Sequence, residues 1–390
     1  KTNDNFALNF KGLSCSTSTL NRSTIDFLAT LGYASMSHWS KYIGGNPVSD
    51  SLMGIKYLVT DQDMTVYYGD PIYENEMFLE MYDEDLSVVS NPDVYLNPYA
   101  LSLAFGVSDD WEYHHSFTVN KDGKKENVYD TPIEQLNQMI TVMLGETETV
   151  EVFKKAVQEG EPTLTNCTHT SVANHHKYEP EDKDKDAKIT YTYMVPADTP
   201  LYFYMPSDYP REVKIKVNGT SKGGFNGGSD STYRCLTSLG SYSADQLTEG
   251  LSLELTINNS SNNLYIMQSS DYSVYDSYIY YIDWDLFTEV MSRLDDVQMV
   301  IDASSTDDHL TGTMTTTKDS QLVATTIAYD EGWKVYVDGK RVDIIETADA
   351  LLSFRIGKAG EHTIELKYMP NVVLFGIICS VTCSVIFLYL

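Results

Sequence analysis

The segment between residues 37 and 50 combines aromatic rings, polar groups and a carboxylate, which are the groups with which proteins bind sugars. Its sequence is SHWSKYIGGNPVSD, and the side chains that could contact a ligand are His38, Trp39, Tyr42, Asn46 and Asp50. Sugars stack on aromatic faces, while carboxylates accept hydrogen bonds from their hydroxyls. Loops of this kind carry functional residues more often than strands do. We therefore predict a substrate-binding surface here, with an ordinary connecting loop as the alternative.

A second aromatic segment lies between residues 271 and 285, with the sequence DYSVYDSYIYYIDWD. It contains five tyrosines, one tryptophan and four aspartates, so the argument for sugar stacking applies to it as well. An edge strand whose tyrosines pack on a sheet is the other interpretation, and it is the one that we favour.

Histidines cluster at residues 114–115 and at residues 169–176, and Cys167 lies two positions before the second cluster. A zinc site needs several ligands that converge on one point and are held by neighbouring groups. Adjacent histidines on a strand point to opposite faces, so such a pair rarely chelates a metal alone. We predict exposed loop histidines and no metal site, with a zinc site as the alternative.

Sequence motifs for catalysis are weak in this chain. We identify no nucleophile elbow, no His-Glu-x-x-His motif and no P-loop. The 56 acidic residues offer many carboxylate pairs for glycoside hydrolysis, but no spacing selects one. We therefore predict no catalytic, cofactor-binding or metal-binding residue.

The strongest pattern is an apolar run at the C-terminal end. Residues 369–390 carry no charge, and Lys367 is the last charged residue. A helix needs about 20 apolar residues to cross a hydrocarbon core of ~30 Å. We predict a transmembrane helix over residues 369–390, with a buried helix or strand of a soluble domain as the alternative. Because the chain starts at Lys1 and stops within this run, we interpret it as part of a longer membrane protein.

Composition limits the partners of the remaining residues. The formal net charge is −29, with 56 acidic and 27 basic side chains, so nucleic acids and anionic lipid headgroups would be repelled. Outside the apolar run the cysteines are Cys15, Cys167 and Cys235, which allow at most one disulfide, and their spacing does not choose it.

Helix and strand signals alternate in the N-terminal part. Residues 23–26 have the pattern of a capping box that opens a short helix, and residues 50–59 have the composition of a strand. Residues 131–134 form a second capping box, followed by an apolar helix face that Gly145 ends. We therefore predict a mixed α/β domain over residues 1–148.

Alternation of apolar and polar residues dominates after residue 189, and hairpin turns are indicated at Asn218-Gly219 and Asp338-Gly339. A helix at residues 283–294 separates two such regions. The pattern is typical of β-sandwiches of the jelly-roll or immunoglobulin type. The predicted fold class is α+β and mostly β. Its predicted domains are the α/β part at residues 1–148, a β-sandwich at residues 149–282, a helix with a second β-sandwich at residues 283–368, and the transmembrane helix at residues 369–390.

Several segments together match a known family. The strongest is residues 328–340, AYDEGWKVYVDGK, followed by residues 360–370 and the apolar run. The remaining segments are residues 25–28, 31–33, 50–59 and 95–107. In order and approximate spacing they resemble the extracellular region of YfhO-family bacterial membrane proteins, although residues 177–320 match only in general pattern. Ala328 stands where the family often has proline, which should alter a strand edge more than function.

The resemblance implies more than the residues show. Proteins of this family have a multi-span N-terminal region that resembles type C glycosyltransferases, which use polyprenyl-phosphate-linked sugars on the outer membrane face. The family is associated with adding sugars to lipoteichoic or wall teichoic acids in Gram-positive bacteria. The catalytic acid of such enzymes lies in an outward loop near the start of the membrane region, which we expect upstream of this chain. No catalytic residue is therefore carried over onto it.

From the resemblance we expect the bulk of the chain to be extracellular and non-catalytic. It would position a polymer acceptor or a lipid-linked sugar donor, and its partners would be the membrane and a cell-surface glycan, with no nucleic acid. The other hypothesis is a non-catalytic, membrane-anchored surface protein that binds glycans or supports cell-envelope assembly. Many upstream spans with an acidic residue in an early outer loop would favour the enzyme, and a signal peptide alone would favour the binding protein.

Overall fold

The computed structural model describes residues 12–17, 20–36, 39–60, 63–72, 93–113, 131–172, 175–205, 213–225, 235–257, 264–267 and 278–389. In these ranges the chain is mostly β and forms several antiparallel sheets, which confirms the predicted fold class. The α-helices are α1 (Arg22–Thr30), α2 (Pro47–Leu52), α3 (Thr65–Tyr68), α4 (Asp110–Tyr113), α5 (Pro132–Leu144), α6 (Trp284–Asp295) and α7 (Asn371–Tyr389). A short 3-10 helix covers Ala244–Leu247.

The N-terminal region holds two small sheets. Its strands are β1 (Cys15–Ser16), β2 (Ala34–Met36), β3 (Trp39–Lys41), β4 (Tyr57–Thr60), β5 (Asp93–Leu96) and β6 (Ala104–Val107). β1, β3 and β2 lie side by side in that order, and β4 pairs with β5. β6 belongs to a sheet of the C-terminal region, as described below.

Two local predictions in the N-terminal region are wrong. α1 is capped by Asn21, whose side chain accepts a hydrogen bond from the Ser23 N–H, so the helix begins before the predicted box. Residues 50–59 do not form one strand, because α2 covers their start and β4 only their end. Asn46 caps α2, and Pro47 occupies its first turn. Proline lacks a backbone N–H, but in the first turn of a helix that group would have no intrahelical acceptor. This helix start outweighs the strand-like composition that follows.

The described part of the middle region contains three sheets. Its strands are β7 (Phe153–Lys155), β8 (Val157–Gln158), β9 (Thr163–Thr165), β10 (Cys167–Val172), β11 (His175–Pro180), β12 (Ala187–Met194), β13 (Leu201–Phe203), β14 (Val213–Val217), β15 (Thr220–Phe225), β16 (Thr237–Gly240), β17 (Leu251–Ile257), β18 (Leu264–Met267) and β19 (Ile279–Ile282). The sheet orders are β15-β14-β17-β12-β8 with β9 also on β12, β16-β13-β19-β7, and β10-β11-β18. The predicted alternation is confirmed in β12, where Ile189, Tyr191 and Tyr193 face a core shared with the neighbouring sheets.

The C-terminal region contains two sheets with a common core. Its strands are β20 (Met299–Ile301), β21 (His309–Thr316), β22 (Gln321–Ala328), β23 (Trp333–Val337), β24 (Lys340–Val342), β25 (Ile344–Thr347), β26 (Leu351–Ile356) and β27 (Gly360–Tyr368). The orders are β20-β21-β27-β23-β24 and β25-β26-β22-β6. Asp338 and Gly339 join β23 to β24 with φ angles of 50° and 73°, so both adopt the left-handed conformation of a tight hairpin turn. This turn is confirmed as predicted.

One hydrophobic core crosses the predicted domain boundaries. It includes Leu136 from the first predicted domain, Tyr202 from the second, and Phe287 and Leu322 from the third. In addition, β6 pairs with β22, and the Gln321 side chain donates a hydrogen bond of 2.9 Å to a carbonyl of β6. The division at residues 148, 282 and 368 and the assignment of two sandwiches stay predictions.

α7 has the properties expected of a membrane span. It contains 19 residues with a mean hydropathy of 2.5, and its side chains are not buried by the rest of the chain. At 1.5 Å per residue it is about 28 Å long, close to the ~30 Å of a hydrocarbon core. Its position coincides with the span predicted over residues 369–390.

α5 confirms the predicted capping box and supports a neighbouring sheet. Thr131 Oγ1 accepts a hydrogen bond from the Glu134 N–H, Glu134 accepts one from the Thr131 N–H, and Gly145 ends the helix with a φ of 71°. Midway along α5, the amide of Asn137 donates to the Phe153 carbonyl and accepts from the Phe153 N–H, both at 2.9 Å. Asn137 thereby provides hydrogen-bond partners for the backbone of Phe153 in β7, which is an edge strand of its sheet.

Replacing Asn137 by Ala should therefore lower the free energy of unfolding by about 2–4 kcal/mol, since it leaves a buried N–H and a buried carbonyl without partners. Urea unfolding of the full chain in detergent would measure this loss. Gln138→Ala, at the exposed neighbouring position of the same helix, should change stability by no more than about 0.5 kcal/mol. Equal losses in the two variants would contradict the role assigned to Asn137.

Candidate functional site

The Asn46-Pro47 sequence starts α2 and so places Asp50 in the interior. Asn46 Oδ1 accepts hydrogen bonds from the N–H groups of Val48 and Ser49, and Ser49 Oγ accepts one from the Asn46 N–H. This reciprocal capping fixes the first turn of the helix. Asp50 lies in that turn and is only 1% exposed.

Three tyrosine hydroxyls donate hydrogen bonds to the buried carboxylate. Tyr33 donates to Oδ1 of Asp50 at 2.9 Å, and Tyr42 and Tyr68 donate to Oδ2 at 2.6 Å and 3.2 Å. We call these four side chains the Asp50 cluster. Tyr33 precedes β2, Tyr42 follows β3 and Tyr68 ends α3, so the carboxylate joins three segments to α2.

Gly44 and Gly45 shape the loop that holds Tyr42 against the carboxylate. Gly44 has a φ of +89°, and a Cβ there would lie 2.1 Å from the carbonyl oxygen of Gly32. A Cβ on Gly45 would lie 2.6 Å from the hydroxyl end of Tyr42, which is bonded to Asp50 and cannot move away freely. The two glycines are therefore explained by a left-handed conformation and by close packing.

Burial decides the ionisation of the Asp50 cluster. Desolvation raises the pKa of Asp50 from 3.8 to about 6, although the hydrogen bonds from the three tyrosines lower it. Desolvation also raises the pKa of Tyr33, Tyr42 and Tyr68, and the nearby carboxylate raises all three further. At neutral pH the cluster therefore holds an ionised carboxylate and three neutral phenol donors. Among the described ion pairs, none includes Asp50.

A second layer of aromatic side chains connects the Asp50 cluster to the middle region. Tyr67, next to Tyr68 in α3, lies with its hydroxyl 3.2 Å from Ser238 Oγ of β16. Its ring lies 6.4 Å from that of Tyr202 in β13, and the Tyr202 ring meets Phe153 edge to face at 5.7 Å. These contacts join α3, which carries Tyr68, to β16 and β13 of the middle region.

The structure brings together two of the five predicted binding residues, Tyr42 and Asp50. Asn46 is the buried cap of α2, 2% exposed, and its Nδ2 has no hydrogen-bond partner among the described residues. Trp39 packs in β3 against Ala34 and Cys235, although the ammonium of Lys41 lies over its ring at 4.8 Å. His38 lies outside the described residues. A substrate-binding role for these residues stays a prediction.

Sequence reasoning missed Tyr33 and Tyr68 as partners of Asp50. Tyr33 belongs to the Leu-Gly-Tyr segment that carries the family resemblance, so a signal existed for it. Tyr68 lies in the short helix TVYY, where no periodicity distinguishes it. Both are identified only by the fold, because 17 or 18 residues separate each from Asp50.

The chemistry open to the Asp50 cluster is hydrogen bonding. A nucleophile or general base must reach a substrate atom, and the Asp50 carboxylate is closed off from solvent. Tyr42 and Tyr68 are half-buried and form the boundary between the carboxylate and the surface. The geometry thus makes Asp50 a positioning group for two tyrosines that a ligand could contact.

The second aromatic segment and the histidines have structural surroundings. Residues 278–282 include β19, which lies between β13 and β7, so the predicted edge strand is an interior strand. Its packing on the sheet is confirmed, since Tyr278 and Tyr280 are buried, and residues 271–277 lie outside the described residues. The expectation that the second histidine cluster lies in loops is wrong, because residues 169 and 176 lie in β10 and β11.

The imidazoles of His169 and His176 hydrogen-bond to each other at 2.9 Å, and the His169 ring stacks on Tyr178 at 4.8 Å. Cys167 is buried, and burial raises the pKa of its thiol to about 11. Nowhere in the described ranges do three or more histidine, cysteine or acidic side chains converge as metal ligands would. Residues 114–115 are not described.

The expectation that the chain has no Gly-x-Ser-x-Gly pattern is wrong. Residues 219–223, GTSKG, have the Gly-x-Ser-x-Gly spelling of a nucleophile elbow. Ser221 lies exposed in β15 of the β14–β15 hairpin, whereas an elbow serine lies on a turn between a strand and a helix. The sequence pattern therefore lacks the strand–turn–helix structure that a nucleophile elbow requires.

The raised pKa of Asp50 predicts a dependence of stability on pH. The unfolded chain releases this proton near pH 4, but the folded chain keeps it until about pH 6, so the contribution of Asp50 falls as pH rises through this window. The free energy of unfolding of the native chain minus that of Asp50→Asn should therefore fall by about 2 kcal/mol between pH 4 and pH 7. Urea unfolding at four pH values would measure it, and a flat or rising difference would contradict it.

Tyr42→Phe provides a matched control, because it removes one hydroxyl while keeping the ring. Without this donor the ionised carboxylate loses a hydrogen bond that the protonated carboxyl needs less. The destabilisation by Tyr42→Phe should accordingly be larger at pH 7 than at pH 4.

Comparison with solved structures gives only weak likenesses. The cycloisomaltooligosaccharide glucanotransferase of Paenibacillus sp. is 9% identical over 54% of this chain and 45% of its own, with a TM-score of 0.19. The conserved protein PA5104 of Pseudomonas aeruginosa PAO1 is 9% identical over 54% of this chain and 93% of its own, with a TM-score of 0.13. An anti-sigma factor domain-containing protein of Clostridium clariflavum is 12% identical over 47% of this chain and 75% of its own, with a TM-score of 0.14. At these values none of them supports an argument about fold or function.

Comparison with families is decisive. No curated protein matches the chain. The family described as bacterial membrane protein YfhO matches residues 1–380, which include the Asp50 cluster, the sheets and the start of α7. The apolar helix α7 agrees with a protein of the membrane. The chain therefore belongs to the YfhO family of bacterial membrane proteins.

Proposed function

We propose that this chain is the extracellular region of a multi-span membrane glycosyltransferase similar to type C enzymes. The enzyme would transfer a sugar from a polyprenyl-phosphate donor to a teichoic or lipoteichoic acid polymer of a Gram-positive cell. The observation that carries the proposal is the family match over residues 1–380, together with the apolar helix that follows the sheets. The chain itself would be non-catalytic and would position the acceptor or the donor.

The Asp50 cluster supports a positioning role. Its carboxylate is closed off from solvent, whereas the phenol rings of Tyr42 and Tyr68 lie at the boundary with the surface. Rings held in one orientation suit stacking on sugars, because little side-chain entropy is lost on binding. In this proposal Tyr42 contacts the glycan, Asp50 and Asn46 hold its loop, and His38 and Trp39 belong to the same surface.

Deletion of the gene in its host tests the activity. Teichoic and lipoteichoic acids from the deletion strain should lack one sugar substituent that the parent strain carries, as measured by mass spectrometry of the purified polymers. The native gene should restore it. If the polymers are unchanged and the protein still binds glycans on an array, the chain is a binding protein and the transferase proposal is wrong.

The proposed orientation is tested by labelling. Lys183 lies in an exposed turn between β11 and β12, whereas Cys167 and Cys235 are buried. A Lys183→Cys variant should react with a membrane-impermeant maleimide on intact cells, and to the same extent after permeabilisation. The native chain, labelled in parallel, corrects for reaction at the other cysteines. Labelling of position 183 only after permeabilisation would contradict an extracellular orientation.

A further inference from the structure

We propose that the end of the C-terminal sheet beside α7 is held in the headgroup layer of the bilayer by a backbone clamp. The lipid-facing edge, as we call this end, consists of the loop at residues 330–333, the loop at residues 307–309 and residues 368–369. Its partner is the phospholipid headgroup layer around α7. The inference rests on the span α7 and is independent of the proposed transferase activity.

The first argument is distance. Only Met369 and Pro370 separate β27, which ends at Tyr368, from α7, which begins at Asn371. The three residue steps from Tyr368 to Asn371 span at most ~10 Å. A headgroup layer is ~5–8 Å thick on each side of a ~30 Å hydrocarbon core. If α7 fills the hydrocarbon core, Tyr368 must lie within the headgroup layer or directly above it.

The second argument is rigidity. The Tyr368 N–H donates to the Asp308 carbonyl at 2.8 Å, and the Met369 N–H donates to the Gly332 carbonyl at 3.1 Å. The chain is therefore bonded to two loops of the sheet until the residue before Pro370. Pro370 then fixes its own φ angle, which leaves little freedom between sheet and helix.

The third argument is the packing of the loop at residues 330–333. The Gly332 N–H donates to Asp330 Oδ1 at 2.7 Å, and a Cβ on Gly332 would lie 2.8 Å from the Tyr368 ring and 2.9 Å from the Met369 carbonyl oxygen. Trp333 pairs with Tyr368 across the strands, with their ring centroids 5.0 Å apart. Trp333 is buried in the C-terminal core and supports Tyr368, which is half-buried. Tyrosine is among the residues enriched at the level of lipid headgroups.

The charge of the lipid-facing edge selects the lipid for the test. Its exposed acidic residues are Asp307, Asp308, Asp330 and Glu331. Anionic lipids would repel this edge over a Debye length of ~8–10 Å, which is comparable to the distance in question. Bilayers of phosphatidylcholine avoid this repulsion.

The experiment compares the two ends of β23 in the full chain, reconstituted into phosphatidylcholine nanodiscs. The background carries Cys15→Ser, Cys379→Ala and Cys383→Ala, so that only buried native cysteines remain. A fluorophore is attached at Glu331→Cys, in the lipid-facing edge, or at Lys340→Cys, beyond the far end of β23. The two positions are both exposed and lie at opposite ends of β23, about 16 Å apart along the five residues of the strand.

A nitroxide on the phosphatidylcholine headgroup should quench the label at position 331 several-fold more strongly than the label at position 340. Inserting five Gly and Ser residues between Met369 and Pro370 leaves the sheet intact but frees it from α7, so this difference should largely disappear. Equal quenching at the two positions of the uninserted chain would overturn the placement of the edge. An unchanged difference after insertion would overturn the clamp.

Discussion

A carboxylate that has lost its water must be met by hydrogen-bond donors, and the N-terminal region is organised around this requirement at Asp50. The three donors come from the start of β2, the end of β3 and the end of α3, whereas the carboxylate lies in α2. The carboxylate is therefore the point at which these segments meet. The two glycines, the helix cap at Asn46 and the aromatic layer behind Tyr67 all serve to bring phenols and carboxylate together. Loss of any one donor would remove one of the three hydrogen bonds that compensate the buried charge.

Several regular elements of this fold could be predicted from the sequence, because they carry a local signal. The capping box at Thr131, the cap at Asp283 and the hairpin at Asp338-Gly339 determine their own backbone geometry. Local composition alone is not sufficient, because α2 occupies the start of the strand predicted at residues 50–59. There the cap at Asn46 and the proline at position 47 outweighed the strand-like composition of the following residues. The Asp50 cluster could be predicted only in part, because the position of Tyr68 relative to Asp50 depends on tertiary contacts that no spacing encodes.

Family membership and structural likeness give different kinds of information for this chain. The sequence match extends over residues 1–380, whereas the three solved structures named above have TM-scores below 0.2. Antiparallel sheets with a common core recur in unrelated proteins, so a partial overlap of strands says little about activity. The role of this chain is therefore better inferred from the Asp50 cluster and from the junction between β27 and α7.

The pairing of β6 with β22 has a consequence for how the chain reaches its native state. The two strands are joined by contacts between residues 214 positions apart, so β6 must wait unpaired until most of the chain has been synthesised. Long-range pairings of this kind slow folding and expose strand edges to aggregation. Because synthesis begins at the N-terminus, the sheet that contains β6 stays incomplete until β22 has been made. The edge of β6 is therefore the part of the fold that stays open longest while the chain is being made.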